Sequence, residues 1–245
     1  MVPTYDGQFP DGSKSYGGYA KYWRGPAAFA FHIPDNLPSA HAAPMLCGAT
    51  TVFSPLKRAI PDPATRARKT AGIVGIGGLG HFGILFAKAL GYKRVVAISR
   101  SSTKKSDALK LGADAFIATA EDKDWQSSGE HVASIDVIVC TVSSPDMPIA
   151  GYLQLLRQFG QFIQVGIPEG PLPEFPLTAL CPGNKIVSGS LIGPPREIEE
   201  MLKLAAEKGV KPWVEERSMK DGANQAVVDM AANKARYRYV LVNDS

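Results

Sequence analysis

The feature that most constrains the fold of this chain is a glycine-rich turn at residues 75–80, which is Gly-Ile-Gly-Gly-Leu-Gly. A short apolar run at 71–75 leads into the turn, and apolar side chains at a helical spacing follow it over 81–90. A strand, a G-x-G-x-x-G turn and a helix in this order are typical of dinucleotide-binding folds, in which phosphates lie at the helix N-terminus. The alternative is a glycine-rich turn without a ligand. The residues that we expect to contact a cofactor here are Gly75, Gly77, Gly78, Leu79 and Gly80.

Apolar and amphipathic segments alternate through the middle of the chain. Besides 71–75, apolar runs predict strands at 94–98, 115–117, 135–140, 161–165 and 185–189. Amphipathic segments between them predict helices at 81–90, 104–111 and 153–159. Strands that alternate with helices in this way form parallel sheets with helices on both faces. The sequence therefore predicts an α/β protein with a Rossmann-type, doubly wound parallel sheet.

The two ends of the chain have less regular patterns. The N-terminal segment is rich in Gly, Pro, Tyr and Ser and cannot bury much apolar surface by itself, so it requires a partner sheet. The elements predicted at the ends are strands at 17–23 and 29–34, helices at 196–208 and 221–233, and a strand at 238–242.

The segment after the second strand of the sheet indicates which dinucleotide is bound. NAD-binding folds place Asp or Glu there, about 20 residues after the glycine turn, to accept hydrogen bonds from the ribose hydroxyls. This chain carries hydroxyl groups and two cations instead, which suit a 2′-phosphate. The alternative is a solvated basic loop. We predict NADP(H) as the cofactor, with its 2′-phosphate contacted by Ser99, Arg100, Ser101 and Lys104.

Composition and charge exclude several other classes of protein. The 245 residues carry a net charge of +4, which is too small and too dispersed for a nucleic-acid-binding protein. No apolar run approaches the roughly 18 residues that a membrane helix needs, and the polar N-terminus does not resemble a signal peptide. Three widely spaced cysteines argue against a disulfide framework. We therefore expect a cytoplasmic protein with no nucleic-acid or membrane partner.

Several separated motifs resemble a known family. They are Ala-Ala-Pro-Met-Leu-Cys-Gly at 42–48, Thr-Val-Phe-Ser-Pro-Leu at 51–56, Gly-Ile-Gly-Gly-Leu-Gly-His-Phe-Gly at 75–83, Ser-Arg-Ser-Ser at 99–102 and Ala-Arg-Tyr-Arg-Tyr-Val at 235–240. In this order they resemble the zinc-dependent medium-chain alcohol dehydrogenases, and within them the cinnamyl alcohol dehydrogenase branch with its fungal NADP-dependent alcohol dehydrogenases. The resemblance implies an NADP-binding Rossmann domain at 41–193, flanked by remnants of a β-rich, GroES-like catalytic domain at 1–40 and 194–245.

The resemblance also implies functional residues. Cys47 corresponds to a catalytic zinc ligand, where zinc would polarise the alcohol or aldehyde oxygen; from the residues alone, a buried core thiol is the alternative. Arg236 would lie near the pyrophosphate and Thr51 beside the nicotinamide. Further residues that would line the cofactor, each with ordinary loop packing as its alternative, are Thr141, Val142, Ser143, Val165, Gly166, Ile167, Ser190 and Leu191. His81, directly after the glycine turn, is expected to pack against its neighbours rather than to bind zinc.

The chain departs from this family in the segment before Cys47. The family's first catalytic cysteine, its His-Glu pair and its four structural-zinc cysteines have no counterpart in the sequence. One cysteine cannot supply the three protein ligands that a catalytic zinc usually takes. We therefore expect a chain that lacks the N-terminal part of the catalytic domain, that binds NADPH, and that has little or no zinc-dependent activity by itself.

Three functions are consistent with these residues. The first, implied by the resemblance, is an NADP(H)-dependent alcohol dehydrogenase or aldehyde reductase that exchanges hydride with an aromatic or aliphatic aldehyde. Such an enzyme would be a homodimer that pairs through residues 185–192. The alternatives are an NADP-binding protein without catalysis and a zinc-free reductase of quinones or enones. Kinetics of a Cys47→Ala variant discriminate among them, because only the first function needs that thiol.

Overall fold

A computed structural model describes residues 5–20, 22–23, 25–127, 129–167, 170–171 and 173–243. In chain order the strands are β1 (Tyr5–Gln8), β2 (Lys14–Tyr16), β3 (Thr70–Val74), β4 (Arg94–Ser99), β5 (Ala115–Ala118), β6 (Ile135–Cys140), β7 (Leu156–Gln164), β8 (Ile186–Gly189), β9 (Val214–Ser218) and β10 (Arg238–Val242). Six of them form one parallel sheet in the order β5-β4-β3-β6-β7-β8. This is the doubly wound order of dinucleotide-binding sheets, and it confirms the predicted fold class.

Helices cover both faces of this sheet. The helices of the described residues are α1 (Ser39–Pro44), α2 (Thr50–Ala59), α3 (Pro63–Arg66), α4 (Gly80–Ala89), α5 (Lys105–Lys110), α6 (Ile149–Leu155), α7 (Pro195–Lys208) and α8 (Met219–Ala231). On β4, Val95 and Ala97 belong to the core that contains α2, α4 and α7, whereas Val96 and Ile98 belong to the core that contains α6. All four side chains are buried, which explains why the central strands are continuous apolar runs rather than alternating ones.

A continuous helical segment precedes the sheet. Helix α1, a π-helical stretch at Met45–Ala49 and α2 follow one another without a break, and α2 is buried over most of its length. These helices were not predicted from the sequence. Pro44 and Pro55 lie inside the segment, and proline disfavours a helix interior. The hydroxyl of Thr50 donates to the carbonyl of Met45 at 3.2 Å, which satisfies one carbonyl where the regular pattern is interrupted.

Helix α7 is the longest helix within the described residues, and it is amphipathic. Met201 and Leu202 are buried on its inner face, and Gly209 at a φ of +61° ends it. Its first turn is attached to α2, because the buried carboxylate of Glu197 accepts hydrogen bonds from two nitrogens of Arg58 at 2.8 and 2.9 Å. In the part of the chain that the structure describes, no helix is long and apolar enough to cross a membrane.

Two predicted strands are wrong, and one predicted helix has wrong bounds. The described residues of 17–23 form bends and irregular backbone rather than a strand, and 29–34 begins at the end of a 3-10 turn and continues without strand pairing. The helix predicted at 153–159 is confirmed as α6 only over 153–155, because α6 ends at Leu155 and the long strand β7 begins at the next residue. Phe159 has a φ of +59°, which a helix interior does not allow. A short apolar run does not by itself distinguish a helix from a strand.

Three strands have no counterpart among the predictions. Strands β1 and β2 form an antiparallel hairpin, and β9 pairs in parallel with β10 so that Val214 lies opposite Arg238. The predicted strand at 238–242 is confirmed as β10. It contacts α1 and α8, and this packing returns the C-terminal part of the chain to the region around the glycine turn.

Candidate functional site

The glycine turn connects β3 to α4 at the carboxyl edge of the sheet. Gly75 has a φ of +85°, which L side chains rarely adopt, and its N–H donates to the carbonyl of Ile98 on β4 at 2.8 Å. A Cβ at Gly80 would overlap the carbonyl oxygen of Gly75, so glycine is required for this close approach of α4. A Cβ at Gly77 would meet no atom within 4 Å. The backbone at Gly77 is therefore open on the side from which a pyrophosphate would approach.

The turns after β6 and β7 pack beside the glycine turn. The hydroxyl of Thr141 donates to the last carbonyl of β3 and to that of Gly75, both at 2.9 Å. The amide nitrogen of Gln164 donates to the carbonyls of Val142 at 2.6 Å and Gly166 at 2.8 Å. The predicted residues 141–143 and 165–166 are thus held at the same edge of the sheet as the glycine turn. Gln164 is absent from the prediction. The signal that could have suggested it is a polar side chain at the end of an apolar strand, where the site residues of a parallel sheet lie.

The basic loop follows β4 and contacts the glycine turn. Ser99 ends β4, Arg100 is exposed, and Ser101 precedes a 3-10 turn that ends at Lys104. The ammonium group of Lys104 donates to the carbonyl of Ile76 in the glycine turn at 2.7 Å. Burial lowers the pKa of Lys104, and a neighbouring arginine charge lowers this pKa further. The loop predicted to bind a 2′-phosphate therefore lies against the loop predicted to bind the pyrophosphate.

Arg238, the first residue of β10, also contacts the glycine turn. Its Nε donates at 2.9 Å to the carbonyl of Gly78, which lies 160 positions earlier in the chain. Its guanidinium carbon lies 6.0 Å from the ring centroid of Phe82, and burial lowers the pKa of Arg238. A guanidinium beside the N-terminus of α4 is a suitable donor for a pyrophosphate. The sequence prediction assigns this role to Arg236 and does not include Arg238; the two arginines on either side of one tyrosine are the signal that could have suggested both.

His81 lies in the first turn of α4 and is buried. Its Nδ1 is 3.1 Å from the carbonyl oxygen of Gly78, and its ring stacks on that of Tyr237 with centroids 5.3 Å apart. Burial, with a smaller contribution from the charge of Arg238, lowers the pKa of His81 to about 4. The imidazole is therefore neutral at pH 7 and has the packing role that was predicted for it.

Eight of the predicted cofactor residues line two cavities at the carboxyl edge of the sheet. One, of about 370 Å³, lies between the glycine turn, α8 and β10. The other, of about 670 Å³, lies beyond the ends of β7 and β8. Residues of the first are Gly77, Gly78, Lys104, Met230, Tyr237 and Arg238. Predicted residues at the second are Val165, Gly166, Ile167, Ser190 and Leu191, of which Ile167 and Leu191 are exposed. A larger cavity of about 890 Å³ among residues 9–26 contains none of the predicted site residues.

Cys47 lies exposed on the π-helical stretch before α2, and the hydroxyl of the buried Thr51 donates to its carbonyl at 2.8 Å. Among the residues that the structure describes, no group of three or more His, Cys, Asp or Glu could hold a metal ion. Since a catalytic zinc takes three protein ligands, the described residues do not fit a zinc site. Cys140 is buried in the core that contains α6, and this burial raises the pKa of its thiol to about 12.

A comparison with family models connects this geometry to known proteins. Residues 78–207, from the glycine turn almost to the end of α7, match the model described as zinc-binding dehydrogenase. The chain belongs to the zinc-binding dehydrogenase family. The match includes the last three residues of the glycine turn, Gly78 to Gly80, and the whole of the basic loop after β4.

Curated relatives match this chain over almost its whole length. It is 41% identical to 8-hydroxygeraniol dehydrogenase of Catharanthus roseus, over 98% of the chain and 64% of the relative. It is 40% identical to NADP-dependent alcohol dehydrogenase 6 of Saccharomyces cerevisiae, over 99% and 66%, and 39% identical to cinnamyl alcohol dehydrogenase 2 of Rauvolfia serpentina, over 98% and 64%. The chain thus spans less than two thirds of the length of these relatives.

Solved structures of dehydrogenases have the same fold. A cinnamyl alcohol dehydrogenase from Sorghum bicolor superposes with a TM-score of 0.81 at 35% identity, covering 95% of this chain and 63% of the other. A cinnamyl alcohol dehydrogenase from Helicobacter pylori, complexed with NADP(H), superposes with a TM-score of 0.79 at 28% identity, also covering 95% and 63%.

Proposed function

We propose that this dehydrogenase chain forms the cofactor-binding part of an NADP(H)-dependent alcohol dehydrogenase or aldehyde reductase of the cinnamyl alcohol dehydrogenase type. The observation that carries the proposal is the pairing of an open glycine turn with a cationic loop. Gly77 leaves room for a pyrophosphate, and Lys104 bonds to the same turn from the segment where NAD-binding folds carry a carboxylate. The names of the yeast and Rauvolfia relatives support both the cofactor and the substrate class, an aromatic or aliphatic alcohol or aldehyde.

In this proposal the chain's own residues bind and orient the dinucleotide. Backbone N–H groups at the start of α4, together with Arg238, hold the pyrophosphate. Ser99, Arg100, Ser101 and Lys104 hold the 2′-phosphate. The nicotinamide end lies along the turns after β6, β7 and β8, at Thr141, Val142, Ser143, Val165, Gly166, Ile167, Ser190 and Leu191, with Thr51 nearby on α2. When bound, the reduced nicotinamide supplies a hydride to the carbonyl carbon of an aldehyde.

A titration of the 245-residue chain with NADPH and with NADH, followed by ligand fluorescence, tests the cofactor. We expect NADPH to bind at least about tenfold more tightly, because an arginine or lysine contact to a phosphate contributes about 1.5–3 kcal/mol. Equal affinities for the two dinucleotides would contradict the NADP assignment. Oxidation of bound NADPH by cinnamaldehyde, measured by its absorbance, tests the reaction in a second step.

A second function is favoured by one observation: within the described residues Cys47 belongs to no group of three or more side chains that could hold a metal ion. The chain would then bind NADP(H) without turning over an aldehyde. Cys47→Ala separates the two proposals. Turnover that is lost in this variant while NADPH affinity is kept supports the dehydrogenase. NADPH binding with no turnover in the parent chain, with zinc present, supports binding alone.

We further propose a cytoplasmic homodimer that pairs through the edge strand β8. Ile186 and Val187 on this strand are 48% and 37% exposed, and Leu191 after it is 53% exposed. An open apolar edge of this kind is a template for pairing with a second strand. Ile186→Lys should convert a dimer to a monomer in sedimentation velocity, and a parent chain that sediments as a monomer would contradict the proposal.

The proposed domains are a segment of a GroES-like catalytic domain at 1–40, the NADP-binding domain at 41–193 and a C-terminal return to the catalytic domain at 194–245. The hairpin of β1 and β2, the six-stranded sheet, and the pair of β9 and β10 each lie within one of these ranges. Limited proteolysis with and without NADPH tests the division, since bound cofactor should protect the middle domain most.

A further inference from the structure

The two arginines on either side of Tyr237 contact different segments of the chain. Arg238 donates to the carbonyl of Gly78 in the glycine turn at 2.9 Å. Arg236 extends instead to α5, where its Nε lies 3.8 Å from a carboxylate oxygen of Asp107. Helix α5 begins immediately after Lys104, which the proposed function assigns to the 2′-phosphate. Arg236 therefore lies beside the proposed 2′-phosphate site, and Arg238 lies beside the proposed pyrophosphate site.

The position of Arg236 is fixed by its neighbours. Its backbone N–H donates to the carboxylate of Glu215 on β9 at 3.0 Å. The hydroxyl of Tyr237, the next residue, donates to Asp107 at 2.7 Å, so the same carboxylate contacts both consecutive residues. The side chain of Arg236 remains 47% exposed, which leaves its guanidinium accessible to a ligand.

Arg236 and Lys104 lie near one aromatic ring. The Lys104 ammonium is 5.6 Å, and the Arg236 guanidinium carbon 5.7 Å, from the ring centroid of Tyr237. The charge of Arg236 contributes to the lowered pKa of Lys104, as expected for two cations at close range. One carboxylate, Asp107, lies beside them. A dianionic phosphate would relieve their mutual repulsion more fully than a single carboxylate does.

We propose that Arg236 is a specificity-determining residue for the 2′-phosphate of NADP(H), and that Arg238 serves the pyrophosphate that NADP(H) and NAD(H) share. This inference rests on the proposed binding of NADP(H). The planar guanidinium of Arg236 supplies paired donors that match phosphate oxygens, whereas Lys104 supplies a point charge near the same Tyr237 ring. The ribose end of the cofactor is therefore recognised by two residues that lie 132 positions apart in the chain, Lys104 and Arg236.

Arg236→Gln and Arg238→Gln, each in the full chain, test the inference. Dissociation constants for NADPH and NADH are measured by fluorescence, and those for 2′,5′-ADP and 5′-ADP by calorimetry. We expect Arg236→Gln to weaken NADPH and 2′,5′-ADP by about tenfold while NADH and 5′-ADP change less than about twofold. Arg238→Gln should weaken NADPH and NADH by the same factor. Arg196→Gln, an equal charge loss at an exposed position on α7, is the matched control.

The ratio of NADPH to NADH affinity is the decisive quantity, because a merely structural role of Arg236 would alter both affinities together. An Arg236→Gln variant that weakens both dinucleotides equally, or neither, overturns the inference. Failure of the proposed function is distinguishable, since the parent chain itself would then show no preference for NADPH. Circular dichroism and the urea midpoint of each variant establish that it is folded before its affinities are compared.

Discussion

Alanine at Gly77 and at Gly80, introduced one at a time, should separate cofactor binding from folding. The two glycines are three positions apart in the same turn, but a Cβ would have different surroundings at each. At Gly80 it would overlap the carbonyl oxygen of Gly75, a backbone atom that cannot move away by changing rotamer. At Gly77 it would meet no protein atom within 4 Å.

The expected magnitudes follow from these surroundings. Overpacking against a backbone atom should cost about 3 kcal/mol, the upper end of its usual range, and alanine recovers about 1 kcal/mol of helix propensity at Gly80, so the Gly80→Ala chain should lose about 2 kcal/mol. With a urea m-value of about 3 kcal/mol/M, its midpoint falls by about 0.7 M. Gly77→Ala should unfold within about 0.5 kcal/mol of the parent. Its methyl group would occupy the approach to the backbone, so NADPH should bind at least about tenfold more weakly.

Urea titration followed by circular dichroism measures the first effect, and NADPH fluorescence measures the second. Gly170→Ala, which also points into open space but lies outside the glycine turn, is the control for both assays. Gly77→Ala with the NADPH affinity of the parent would refute the placement of the pyrophosphate. Gly80→Ala with an unchanged urea midpoint would refute the requirement for glycine at the contact of α4 with β3.

Three further predictions concern charged groups. Arg66 is buried and donates to the carbonyls of Ile60, Pro61 and Leu90. In urea titration, Arg66→Ala should lower the free energy of unfolding by about 3 kcal/mol. The control Arg68→Ala, at an exposed position, should change it by less than about 0.5 kcal/mol. Because its pKa is lowered, Lys104 loses its charge at a lower pH than an ordinary lysine, so the preference for NADPH over NADH should fall as the pH rises into the alkaline range. Lys104→Arg should retain the preference to higher pH. Identical pH profiles of the preference in the parent and in Lys104→Arg would contradict this role. The pKa of Asp229 is lowered to about 2, first by Arg217 and then by Gln225 and Lys234, so its carboxylate stabilises the fold above its usual pKa and this contribution is lost as the pH falls toward 2. Asp229→Asn should therefore unfold at lower urea than the parent at pH 7, and the difference should shrink in acid.

The sheet and the glycine turn could be predicted because their causes are local. Strands buried on both faces are short apolar runs, and the predicted 135–140 coincides with β6. The turn requires glycine for backbone reasons that a motif expresses directly, namely a positive φ at Gly75 and close packing at Gly80. For most of the predicted elements, the ends observed in the structure differ from the predicted ends by only one or a few residues.

The remaining features depend on tertiary contacts or on competing local signals. Pro44 and Pro55 conceal the helices before the sheet, because the π-helical stretch and buried packing compensate for the missing hydrogen bonds. The end of α6 at Leu155 is set by pairing with β6, which no helical pattern reveals. The position of Arg238 on the glycine turn depends on β10 pairing with β9 and packing against α1, and no local pattern distinguishes it from Arg236.

The contact between Arg238 and Gly78 has a consequence for the order in which the protein becomes competent during its synthesis. A ribosome makes the glycine turn 160 residues before it makes the arginine that bonds to it. The sheet can assemble while the chain is still growing, since all six of its strands precede residue 190. Under the proposed function, full capture of the dinucleotide has to wait until β10 has left the exit tunnel, so the nascent chain would be folded in its middle before it could hold its cofactor.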